Sequence, residues 1–209
     1  MSRKKEKPVI IFGAGGHSSV LINVLKKLNR EILGIIDPAL DENSEFLGIP
    51  TIDEKSFSDD PKNIEIVNAI GSMPGKNNRK KLTIKLREQG YSFASVIDPS
   101  AVIGMNVNLE EGVQILAGVI IQPNVSIGYD TIVNTAVSID HDCKISSDCH
   151  IAPGVIMSGN VNIGSNCHIG TGSVILNNIT INRNSLIAGG STVFEDVKEG
   201  ATLIQKVGQ

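Results

Sequence analysis

The 209-residue chain carries a formal net charge of -3 and only 3% aromatic residues, with no Trp. The charge argues against a nucleic-acid partner, which needs a basic face, and the composition argues against an aromatic platform for single strands. No apolar run reaches the length of a membrane span, and the basic segment 1–7 lacks the apolar core of a secretion signal, so a cytoplasmic protein without membrane contact is expected.

Pro8 opens the apolar run Val9-Ile10-Ile11-Phe12, which ends in Gly13-Ala14-Gly15-Gly16-His17. A helical pattern follows, with Val20, Leu21, Val24, Leu25 and Leu28 at its apolar positions. A second strand over 31–36 ends at Asp37, 24 residues beyond Gly13. Strand, glycine turn, helix and a following acid form the start of a nucleotide-binding βαβ unit. Ser18 holds the third glycine position of that fingerprint, so the glycines alone fit a plain strand-to-helix turn equally well. Further on, the pattern predicts a short helix over 53–58 and a third strand over 64–70 that ends in Gly71-Ser72. An amphipathic helix with a basic outer face follows over 77–90, then a strand over 91–96. Residues 1–94 are therefore expected to form an α/β, Rossmann-like domain.

The rest of the chain is organised by a six-residue repeat. Stepping by six from Ile97 meets Ile103, Leu109, Ile115, Ile121, Ile127 and Val133, then continues without a polar residue through Ile139, Ile151 and Ile169 to Val193. A second ladder two residues earlier holds small or β-branched residues, among them Val107, Val137, Cys143, Cys149, Val161 and Cys167. The positions after each aliphatic residue often carry Gly, Asn or Asp, which tolerate turn conformations. A period of six is neither helical nor that of a plain strand; it predicts a hexapeptide-repeat parallel β-helix over 95–197, with 198–209 as a C-terminal tail. Three hexads make one triangular coil, so residues 18 apart stack at roughly the 4.8 Å strand spacing.

On this reading Cys143, Cys149 and Cys167 are interior fillers, and their spacings are those of the repeat, not those of a zinc site. The outward residues that invite chemistry are Asn134-Thr135, Asp140-His141-Asp142 and His150. His150 and His168, 18 apart, are expected to stack on one outer face. A His flanked by two Asp residues suits proton transfer, because a carboxylate orients the imidazole and favours its protonation.

With these residues in view, the chain resembles the bacterial sugar acetyltransferases that join a small Rossmann-like domain to a left-handed β-helix. That family includes the nucleotide-4-amino-sugar N-acetyltransferases of glycan and O-antigen pathways and their sialic-acid O-acetyltransferase relatives. The resemblance rests on Gly13 to His17, Asn134-Thr135, and Ile139 to Cys143 with His150 nine residues after His141. It implies a homotrimer, His141 as general base and Asp142 as the acid that orients it. In several relatives that acid is Glu, one methylene longer. It further implies that His150, Thr171 and Gly189 meet acetyl-CoA, a co-substrate and not a tightly bound cofactor. Gly15, Gly16, His17, Asp37, Gly71 and Asn134 would then meet a nucleotide-linked amino sugar, and no metal takes part. The implied reaction is direct attack of a sugar 4-amino group on the thioester. A hydroxyl acceptor is the alternative, with a zinc-dependent hydratase or a noncatalytic assembly subunit behind it. The chain ends Leu203-Ile204-Gln205-Lys206-Val207-Gly208-Gln209, unlike the Gly-x-Pro-Ala-Lys-like tail of many relatives.

Overall fold

The structure is a computed structural model that describes residues 6–41, 44–72 and 76–204. It divides into two compact units, residues 1–96 and 97–209. The atypical tail sequence beyond residue 204 lies outside the described residues.

In the first unit, β1 (Val9–Phe12) is wholly buried, as its unbroken apolar run requires of a central parallel strand. The helix α1 (Gly16–Lys27) covers the sheet with Leu21, Ile22, Val24 and Leu25. Strand β2 (Ile32–Ile36) follows, then the small hairpin of β3 (Glu45–Phe46) and β4 (Ile49–Pro50), then β5 (Glu65–Asn68) and α2 (Asn78–Glu88). The parallel sheet has the order β2-β1-β5, so the chain leaves β1 to one side and returns on the other. The switch point lies at the carboxyl end of β1, where open α/β sheets bind ligands.

Two expectations are corrected in this unit. Residues 53–58 form a single turn, with the Asp53 carbonyl accepting from the Ser56 and Phe57 amides, and not a helix. One turn gains too few hydrogen bonds to offset helix nucleation. Segment 91–96 is not a full strand; it touches the sheet only through the bridge of Phe93 to Ile66.

The second unit is a parallel β-helix with three faces. Two-residue strands repeat every six residues, and each pairs in register with the strand 18 residues on. The outward residues of the first face are Gln114, Ile132, His150, His168, Leu186 and Thr202. Those of the second are Val102, Ile120, Ser138, Ile156, Val174 and Thr192. Those of the third are Asn108, Ser126, Lys144, Asn162 and Thr180. The aliphatic ladder from Ile115 to Val193 is buried in the prism, where each side chain contributes on the order of 1.5–3 kcal/mol. The stack runs past the six-residue ladder. Val197 bridges to Ile181 and Thr202–Leu203 pairs with Leu186–Ile187, so one corner is two residues short and the coil continues.

The corners obey one rule. In coil after coil the third corner residue has a positive φ, and Asn, Asp or Gly occupies it: Asn106, Asn124, Asp142, Asn160 and Asn178 on the corner between the second and third faces are examples. This is the left-handed region that those residue types enter at least cost. Among the described corners with a positive φ, Ala136, at φ 57, is the exception in residue type. No helix among the described residues is long and apolar enough to cross a membrane.

Candidate functional site

His141 is the middle residue of a corner between the second and third faces, so its side chain leaves the prism and is 59% exposed. Its backbone N–H donates to Asp140 Oδ1 at 2.8 Å, which fixes the corner. Its ring Nδ1 lies 2.7 Å from Asp142 Oδ2. An ionised carboxylate only accepts, so Nδ1 carries the proton and Nε2 presents its lone pair outward. The hydrogen bond to Asp142 raises the imidazole pKa above 6.5; desolvation opposes it, and the Asp140 and Asp142 charges add to it. The Asp142 carboxyl is held below its ordinary value by His141 first and by Asn124 second. The shorter acid thus reaches its partner without the extra methylene of Glu.

Two neighbours of this pair were not singled out in the sequence. One coil earlier, Asn124 Nδ2 donates to Asp142 Oδ1 at 3.1 Å. One coil later, buried Gly159 lies beneath the ring: a Cβ there would sit 2.6 Å from His141 Cε1 and 2.7 Å from Nε2. Both residues stand 18 positions from the pair, and that arithmetic was available in the repeat.

The other outward residues gather on a different edge. Asn134 sits on the corner between the first and second faces, and its Nδ2 lies 3.2 Å from His150 Nε2 on the first face. His150 packs edge-on against His168, with centroids 4.9 Å apart, as their stacking predicts. Burial pushes the His168 imidazole below its ordinary value. Thr171 and Gly189 occupy the same corner as Asn134, two and three coils on, and the Thr171 carbonyl accepts from the Gly190 N–H at 2.8 Å. Within one chain the second face therefore separates His141 from Asn134, Thr171 and Gly189.

The cysteines are interior, as their ladder position predicts. Cys143, two residues from His141, donates its thiol inward to the Ser158 carbonyl at 3.2 Å, and burial raises its pKa. That removes it as a nucleophile. No group of three or more His, Cys, Asp or Glu among the described residues is placed to hold a metal ion.

In the first unit the glycine turn has two distinct halves. Gly13, at φ 107, is required, because a Cβ would lie 3.0 Å from the Ala69 and Ile70 backbone. Gly15, Gly16 and Gly71 face open space, so sterics do not demand glycine there. Asp37 reaches back to the turn, its Oδ2 accepting from the Ala14 N–H at 2.7 Å and its Oδ1 from Ala39 at 2.8 Å. Asp37 also lines a cleft of about 560 Å3 with Ile36, Pro38, Thr51 and Ile52. His17 is half-buried in the first turn of α1, and Ser18 is fully buried where the helix packs.

The family described as "PglD N-terminal domain" matches residues 8–86, and "Bacterial transferase hexapeptide (six repeats)" matches residues 160–195. Among solved structures, PerB from Caulobacter crescentus in complex with CoA and GDP-perosamine is 31% identical, with a TM-score of 0.81 over 93% of this chain and 92% of that one. The acetyltransferase domain of PglB from Neisseria gonorrhoeae in complex with acetyl coenzyme A is 27% identical, with a TM-score of 0.84 over 94% and 95%. WeeI from Acinetobacter baumannii shares the fold at 24% identity, with a TM-score of 0.85 over 95% and 97%. No curated protein matches.

Proposed function

Because the chain belongs to the hexapeptide-repeat acyltransferases that carry a PglD-type N-terminal domain and a left-handed β-helix, we propose that it is an acetyl-CoA-dependent sugar N-acetyltransferase. Its acceptor is the 4-amino group of a nucleotide-linked 4-amino-4,6-dideoxy sugar. The observation that carries this reading is the exposed His141 ring, hydrogen-bonded to Asp142 through Nδ1 and free to accept a proton at Nε2. A sugar ammonium must lose a proton before its nitrogen attacks the thioester carbonyl. An imidazole base, its pKa raised by the bond to Asp142, is suited to accept that proton. The amine then adds to the carbonyl, the oxyanion collapses, and the C–S bond breaks to release CoA as its thiol. No covalent enzyme intermediate is needed, and holding two substrates in line supplies much of the rate.

The nucleotide occupies the end of β1 and the Asp37 cleft in this reading, near Gly15, Gly16, His17 and Gly71. The Asn134, His150, Thr171 and Gly189 edge takes the acyl carrier and the sugar. That edge and His141 border the same second face, whose outward Val102, Ile120 and Ile156 are exposed apolar residues. Packing that face against further copies in a trimer covers the patch and sets the His141 of one subunit beside the Asn134 edge of the next.

The test is a panel of UDP-, GDP- and dTDP-linked 4-amino-4,6-dideoxy sugars with acetyl-CoA, read as thiol release and product mass. Release with one nucleotide sugar, lost in His141→Asn, is expected. Acetylation of free sialic acid but of no nucleotide amino sugar overturns the amine acceptor in favour of a hydroxyl.

A further inference from the structure

The corner that carries His141 is also one rung in a side-chain ladder. Asn106, Asn124, Asp142, Asn160 and Asn178 stack at 18-residue intervals, each with φ between 57 and 64. Where the rungs are both Asn, the amide nitrogen of one donates to the oxygen of the next. Asn106 Nδ2 bonds Asn124 Oδ1 at 3.2 Å, and Asn160 Nδ2 bonds Asn178 Oδ1 at 2.9 Å. Another corner repeats the arrangement from Asn166 to Asn184 at 2.9 Å. The Asn160–Asn178 and Asn166–Asn184 rungs hold turns together and make no side-chain hydrogen bond to the His141–Asp142 pair.

Asp142 changes what the ladder does. Its Oδ1 accepts from Asn124 as any rung would, at 3.1 Å. Its other terminal atom is an oxygen where Asn has an amino group, so it cannot donate onward and instead accepts from His141 Nδ1. Asn124 is oriented by Asp142, because a flipped amide would set oxygen against the carboxylate, and its own oxygen then accepts from Asn106. The donors therefore run in one direction, Asn106 to Asn124 to Asp142, and terminate on the carboxylate that grips the imidazole. Asp142 is half exposed, so without Asn124 only its bond to His141 restrains the carboxylate about its two torsions.

We propose that Asn124 is a positioning residue, which holds the Asp142 carboxylate so that one oxygen faces His141; the catalytic part of this rests on His141 acting as the base. The charged groups acting on the ring are Asp140 and Asp142, while the neighbouring coils contribute the neutral Asn124 and Gly159. Removing Asn124 should therefore loosen one specific contact without altering the local charge.

The test uses the full-length protein with Asn124→Gly, which suits the left-handed backbone and deletes the side chain, and Asn166→Gly, which deletes an equivalent rung elsewhere. Histidine Cε1–H NMR titration follows the four histidines, with the His141 signal identified by its absence in His141→Asn. Asn124→Gly should move the His141 pKa down toward 6.5, whereas Asn166→Gly leaves it in place. With the acceptor found by the panel, Asn124→Gly should lower kcat on the order of tenfold at unchanged KM, well short of the roughly 10²–10⁴-fold contribution of a whole general base. Its pH–rate limb should shift to lower pH. An unchanged His141 titration in Asn124→Gly, or an equal shift in Asn166→Gly, overturns the proposal. Turnover retained in His141→Asn instead overturns the assignment of the base and leaves the titration to judge the geometry.

Discussion

The seat beneath His141 yields the sharpest perturbation. A methyl group added by Gly159→Ala would stand 2.6 Å from Cε1 and 2.7 Å from Nε2, whereas ordinary contact begins at 3.4 Å. The ring must therefore move by about 0.8 Å or more, and since it is open to solvent on its other side, it swings outward rather than straining the coil. That movement displaces Nε2 and stretches the 2.7 Å bond to Asp142. Misplacing a reacting group by about 1 Å costs on the order of 10²-fold in rate, so kcat should fall by that factor with KM nearly unchanged.

Stability should go the other way. Gly159 does not have a positive φ, so Ala adopts its backbone without strain and restricts the unfolded chain, a gain of about 0.4–1 kcal/mol. Steady-state thiol release beside calorimetry checks both halves. If Gly159→Ala kept kcat within about twofold of the parent, the ring would not need this seat. If Tm fell together with kcat, the methyl would be damaging the coil, and the loss of rate would say nothing about His141.

Three further outcomes follow from the same geometry. Asp142→Asn makes that corner like its four stacked neighbours, so Tm should hold while kcat drops about 10²-fold and the pH–rate limb moves to lower pH; a profile that keeps the parent limb refutes the pairing. Ala136→Gly relieves a left-handed backbone and should raise stability by about 0.5–1 kcal/mol net, or roughly 1–4 °C in Tm, with a lowered Tm as the contrary result. Burial lowers the folded pKa of His168, so the unfolded chain binds the extra proton first; stability should decline as pH falls below about 6.5, and less so in His168→Leu, which melting curves at pH 7.5 and 5.5 compare.

The interior of the solenoid was legible because a burial period of six admits no other simple solution, and the buried run from Ile115 to Val193 bears that out. The outward direction of His141 and the contact of His150 with His168 followed from the same counting. What the pattern hid was local competition. The 53–58 segment has helical spacing but room for only one turn, and the 91–96 run reads as a strand although it meets the first sheet at Phe93 alone and enters the solenoid at Val96. The missing two residues before Val197 broke the six-residue count while the coil went on. Asn124 and Gly159 escaped notice for another reason. An Asn at a turn and a Gly in a repeat have ordinary explanations, and only the stack reveals that these two meet the His141–Asp142 pair from opposite sides.

The placement of that pair also explains why the acid beside His141 is an aspartate. The third corner residue must enter the left-handed region, which Asn and Asp occupy readily and longer side chains do not. A neutral amide at this position makes a structural rung; replacing its NH2 by oxygen makes a rung that accepts on both atoms. The coil before it then supplies a donor, the adjacent residue supplies an imidazole, and the coil after it supplies space. Each of these comes from a repeat that buries aliphatic side chains, so the pair differs from the neighbouring coils at one rung and one corner residue. The same comparison shows where the arrangement stops. Corners one coil away on either side carry Asn124 and Asn160 without a histidine before them, and they retain the scaffold's hydrogen bonds but no proton acceptor of suitable pKa.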